Sequence, residues 1–103
     1  MKESLDTITS ASYDEFHYEK EVIKMMCKVT TTLLEHEHTY YNFYGKGRER
    51  ILQEEKNKVK KDLVLLLSNI EILTEMLGIR EEVKTKTETR LQKVAERIEK
   101  KKE

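Results

Sequence analysis

Two of the three glycines in this chain stand together at Gly45-Lys46-Gly47, and no proline occurs anywhere. Glycine readily takes the left-handed conformation that ends a helix, so this is where the chain is expected to turn. The stretch on each side is about thirty residues, or roughly 45 Å as helix. A connection of about three residues between helices of matched length forces them antiparallel. The sequence therefore predicts an all-α fold built on an antiparallel αα-hairpin, with helices over about 13–44 and 48–78. Three parts follow: a flexible lead-in over 1–12, the hairpin domain over 13–78, and a charged helix or tail over 79–103.

The apolar spacing carries this prediction. In the first helix Val22, Met26, Val29, Leu33, Tyr40 and Phe43 recur at intervals of three and four, with His36 inside the series. Such spacing places them on one face. Phe16, Ile23, Thr30 and Tyr44 widen it. The run Val29-Thr30-Thr31-Thr32 locally prefers strand, but a strand would scatter Met26, Leu33 and Tyr40 over both faces. A capping box at Ser12-Tyr13-Asp14-Glu15 is the expected helix start.

The second helix has the cleaner pattern: Leu52, Val59, Leu63, Leu66, Ile70, Leu73 and Leu77, interrupted only by Lys56. Leu65, Ile72, Met76 and Ile79 extend its C-terminal half into an arc too wide for one partner helix to cover. A hairpin alone leaves such a groove exposed, and the usual remedy is either a third helix from the same chain or pairing of two hairpins into a coiled-coil-like four-helix bundle, of which dimerisation is the expectation here. Past Gly78 the pattern resumes at Leu91, Val94 and Ile98. That segment either continues the second helix or forms a weak third one, and its threonines between Lys84 and Thr89 lower helix propensity.

Charged residues make up 39% of the chain, against a usual ~25%, which fits solvated outer helix faces. The formal net charge is zero, so overall electrostatics favours neither nucleic acid nor a membrane surface. Residues 1–44 carry eight acids and four bases, whereas residues 79–103 carry nine bases and six acids. An acidic first helix is expected to pair with the more basic remainder, including Lys56, Lys58, Lys60 and Lys61. The single cysteine, Cys27, and the lack of an apolar leader after Met1 point to the cytoplasm. The densest apolar run, Leu63 to Leu67, falls far short of the ~20 residues of a membrane span.

No chemical motif stands out. Glu35 and His38 have the Glu-x-x-His spacing of di-metal bundles, but at ~100° per residue they point away from the buried face. A metal-binding bundle is the weakest alternative. His36 lies in the apolar stripe, where protonation would weaken packing. Cys27 has Lys24 and Lys28 nearby and reads as an inert flank residue. Gly45-Lys46-Gly47 makes no phosphate loop, and His36-Glu37 lacks a zinc protease's second histidine. No catalytic residue, cofactor or metal ligand is assigned.

The oddest composition is at the turn, where Tyr40, Tyr41, Phe43 and Tyr44 adjoin Lys46, Arg48 and Arg50. Tyr and Arg anchor protein interfaces, and aromatics among bases also stack on single-stranded nucleic acid. The expectation is a non-enzymatic interaction module of the adaptor, chaperone-like or regulatory kind. It would bind itself as a homodimer, or another protein, through Leu63, Leu66, Ile70, Leu73, Met76, Leu77 and Ile79, with Tyr40, Tyr41 and Tyr44 as a second contact. The alternative is a nucleic-acid-associated regulator gripping phosphates with Lys46, Arg48, Arg50 and the basic tail.

Overall fold

The computed structural model describes residues 2–11 and 13–102. Its helices are α1 (Lys2–Thr9), α2 (Glu15–Asn42), α3 (Arg48–Met76) and α4 (Arg80–Lys102), with no strand among the described residues. The expected hairpin is α2 and α3, packed along their length. The cap of α2 is Asp14, two residues after the Ser12 that the capping box requires. Asp14 Oδ1 accepts from the His17 amide at 3.1 Å, satisfying one of the free N–H groups of the first turn. Ser12 lies outside the described residues.

The hydroxyl-rich segments are helical for a common reason. Thr30, Thr31 and Thr32 each donate to the carbonyl four residues back, and Thr87 and Thr89 do the same in α4. Those bonds satisfy the hydroxyls inside the helix instead of competing with it. Residues 2–9, expected as a flexible lead-in, form α1 in the same way, with Thr7 and Ser10 donating to the carbonyls of Glu3 and Asp6. α1 packs against α3, and its Leu5 is buried. A short helix with one well-covered leucine is a docked element, which the polar composition of the segment concealed.

The turn forms where glycine predicted it, with a different division of labour. α2 ends at Phe43 in extended backbone, and the left-handed residue is Gly47 (φ 80°), which caps the start of α3. Gly45 has no positive φ; a Cβ there would lie 3.3 Å from the Phe43 ring. At the far end of α3 Gly78 (φ 72°) donates to the Glu75 carbonyl, and Ile79 donates to that of Thr74. This pair of bonds is a Schellman motif, and it ends α3. α4 is therefore a separate helix, and not a continuation. Arg80 fixes the elbow by bridging Glu71, Glu75 and Glu81.

The register of the hairpin departs from the sequence expectation by about one residue. On α2 the positions turned inward are Tyr18, Val22, Met25, Val29, Thr32, His36, Thr39 and Phe43, all buried or half-buried. On α3 they are Arg48, Leu52, Glu55, Val59, Asp62, Leu66, Asn69, Leu73 and Met76. Both series run in unbroken steps of four and three, the a and d positions of a heptad seam. Met26, Leu33 and Tyr40, expected in the core, are 54%, 46% and 52% exposed. Leu63 is likewise outside the seam, and its expected place is held by Asp62.

Candidate functional site: an apolar face outside the seam

The seam is polar at its d and neighbouring a positions. The Glu55 carboxylate takes the Thr39 hydroxyl on Oε2 at 2.7 Å and the His36 ring on Oε1 at 3.2 Å. Burial by itself would raise the Glu55 carboxyl, but the bonds from Thr39 and His36, with the charges of His36 and Lys58, bring it below its ordinary value. Two turns further along α3, Asp62 is 3% exposed, with Lys28 Nζ 3.6 Å from Oδ1 and no hydrogen-bond partner on Oδ2 among the described residues. The cross-helix pairs are thus acids of α3 with Lys28 and His36 of α2, the reverse of the pairing expected from net charge. The heptad steps carry Glu55 and Asp62 into the seam and leave Lys56, Lys58, Lys60 and Lys61 exposed.

Thr39, Glu55 and His36 share the residue types of nucleophilic machinery but not its order. A hydroxyl nucleophile needs the base on its own oxygen. Here both side chains bond the carboxylate, whose lowered proton affinity makes it a weaker base. What the cluster does is satisfy polar groups in a half-buried seam. His36 faces a carboxylate, so protonation there creates an attraction and does not loosen an apolar contact. Glu35, Glu37 and His38 are exposed, as is Cys27.

The apolar side chains that the seam does not use fall together. In antiparallel helices the e positions of both lie on the same side of the seam. Those positions are Glu19, Met26, Leu33 and Tyr40 on α2 and Glu49, Lys56, Leu63, Ile70 and Leu77 on α3, apolar from Met26 to Tyr40 and from Leu63 to Leu77 and charged at the other three. The adjoining b positions add Ile23 and Leu67. Ile23, Met26 and Leu67 are each more than half exposed, and no other helix packs on α2. Exposed apolar residues outside the seam therefore lie on both helices, from Ile23 to Tyr40 on α2 and at Leu63 and Leu67 on α3, and give way toward the end of α3, where Ile70 is half-buried and Thr74 buried. Of the residues expected to meet a partner, Leu63, Ile70 and Leu77 lie outside the seam, and Ile79, 39% exposed, follows at the elbow. Leu66, Leu73 and Met76 are corrected to the seam, where they are half-buried. Of the α2 half only Tyr40 was expected at a partner; Met26 and Leu33 were assigned to the hairpin core, because a series through Val22, Met26, Val29, Leu33, His36 and Tyr40 steps by three and four as regularly as the seam itself.

The aromatic tip is organised by Arg48. Its guanidinium donates to the carbonyls of Phe43 at 2.8 Å and Tyr40 at 2.9 Å, closing the open end of α2, and lies 5.1 Å from the Tyr40 ring centre and 5.7 Å from that of Tyr44. Arg50 pairs with Glu54 at 3.8 Å. Of the three bases expected to grip phosphates, Arg48 is thus committed to the turn, and Lys46 and Arg50 are exposed. Tyr41 and Tyr44 are 64% and 77% exposed, and Tyr40 continues the apolar face toward the tip.

Fold and surface together define an all-α helical-hairpin protein with an uncovered apolar face. No family model, curated protein or solved structure matches this chain. No helix among the described residues is long and apolar enough to cross a membrane.

Proposed function

We propose that this chain is a non-enzymatic helical interaction module that works by burying its outer hairpin face against another protein surface. The supporting observation is the division of side chains between the two sides of the same helices. Thr, His, Glu, Asp and Asn occupy seam positions, while Ile23, Met26, Leu33, Leu63 and Leu67 stay in water. Soluble monomers rarely leave contiguous apolar patches of several hundred Å² uncovered, and such patches mark interaction surfaces. Tyr40 extends the face, so the turn and the helix surface act as one contact. With Arg48 closing α2, the aromatic-basic tip favours protein contact over phosphate binding.

A photo-crosslinking residue at Leu67 tests this in the native host. Protein adducts are expected, and the added substitution Met26→Glu should abolish them. Absence of adducts, or adducts indifferent to Met26→Glu, would overturn the reading.

A further inference from the structure

Resting on that reading, we propose that the surface covering the outer face is a second copy of this chain, related by a twofold axis along the hairpin so that α2 of each copy lies antiparallel across α3 of the other. Size, apolar complementarity and charge all favour it. α2 has 28 residues, about 42 Å of helix, and two helices side by side span about 20 Å. That outline is roughly 800 Å², the amount each partner contributes to a standard interface.

The cross-seam pairs His36–Glu55 and Lys28–Asp62 fix the height of α3 against α2. By that register Leu63 and Leu67 stand near the height of Met26 and Ile23, and Lys56 near that of Glu37. A twofold axis along the hairpin keeps heights and exchanges the helices. It therefore brings Met26 and Ile23 of one copy onto Leu63 and Leu67 of the other, and Glu37 onto Lys56, each contact occurring twice. A twofold axis across the hairpin would instead lay α2 on α2, setting a helix of five acids and three bases against itself. Within one chain neither α1 nor α4 reaches α2; each packs on α3 alone.

The experiment uses full-length chains lacking the native thiol. Cys27→Ser/Ile23→Cys is mixed with Cys27→Ser/Leu67→Cys and oxidised, and the protein with native Ile23 and Leu67 is sedimented in parallel. A mass twice 12.3 kDa and disulfides joining position 23 to position 67 in excess of either like pair are expected. Leu67→Glu should weaken the dimer by about 30-fold or more. Because Leu67 is 59% exposed, the single chain should keep its helical circular dichroism. A strictly monomeric mass, a predominance of like pairs, or a dimer indifferent to Leu67→Glu each overturns the proposal. A monomer that still gives Met26-dependent adducts at Leu67 in the host would defeat self-pairing while leaving the interaction-module reading in place.

Discussion

Met25 and Met26 are neighbours in sequence with the same side chain, yet the first is 7% exposed and the second 54%. Met25 packs in the seam between α2 and α3, and Met26 belongs to the face outside it. The pair shows that adjacent positions of one amphipathic helix meet different surroundings. The inner side mixes polar groups with apolar residues such as Val22, Val29, Val59, Leu66 and Leu73 and is closed by the partner helix. The outer one is apolar and open. A seam carrying His36, Thr39, Glu55 and Asp62 beside its apolar residues buries less apolar surface than an all-apolar one would, in a chain whose size already allows only a thin core.

The sharpest way to break this contrast is to truncate the two methionines in turn. Met25→Ala should destabilise the single chain by about 2–3 kcal/mol through lost burial and a residual cavity. Met26→Ala should leave single-chain stability within about 0.5 kcal/mol and act on association. Urea unfolding at dilute and concentrated protein separates the two effects. Equal costs at low concentration would mean that the seam and the outer face are not distinct.

Asp62 tests whether the polar seam is retained at a cost. Among the described residues its buried Oδ2 has no partner and the one ion-pair partner of the carboxylate is Lys28, whose side chain is 57% exposed. Replacing a buried ionic group by an apolar one of similar volume is often stabilising by ~1–4 kcal/mol. Asp62→Leu is expected at the lower end of that range, read as a higher urea midpoint. A lower midpoint would show that the Lys28–Asp62 pair supports the hairpin.

The smallest effect is the acid limb of stability. Bonds from Thr39 and His36 hold the folded-state Glu55 carboxyl below its ordinary value of 4.5 despite the opposing effect of burial. A lowered carboxyl contributes stability that is present above the unfolded-state value and is lost as pH falls through the folded-state value. Glu55→Gln should therefore flatten the loss of stability below about pH 4.5 and leave the slope above it unchanged. Urea midpoints across that range check the sign, and an unaltered acid limb would remove Glu55 from the seam's electrostatics.

Much of this protein was legible from its residues. Gly45-Lys46-Gly47 marks the turn, the steps of three and four in both flanks mark the helices, and Gly78 marks the next break. Each is a local property of backbone freedom or side-chain period. The candidate site was only half legible. Leu63, Ile70 and Leu77, expected to meet a partner, lie outside the seam, Leu63 and Leu77 exposed and Ile70 half-buried. Met26 and Leu33 were expected inside the hairpin because an apolar series starting at Val22 can be drawn through them as easily as through Met25 and Thr32. Periodicity ranks faces by hydrophobicity, and here the most apolar face is not the one α3 covers.

The sequence by itself determined the helices, their lengths and the place where the chain folds back, because helix period, glycine conformation and the absence of proline act within a few residues. Only the tertiary structure decided which face of each helix turns inward. That choice depends on groups distant in sequence: Arg48 closing the end of α2, Glu55 meeting His36 and Thr39, and Lys28 beside Asp62. These contacts fix a rotation that hydrophobicity alone would have set about one residue away, and that rotation leaves the apolar face outside.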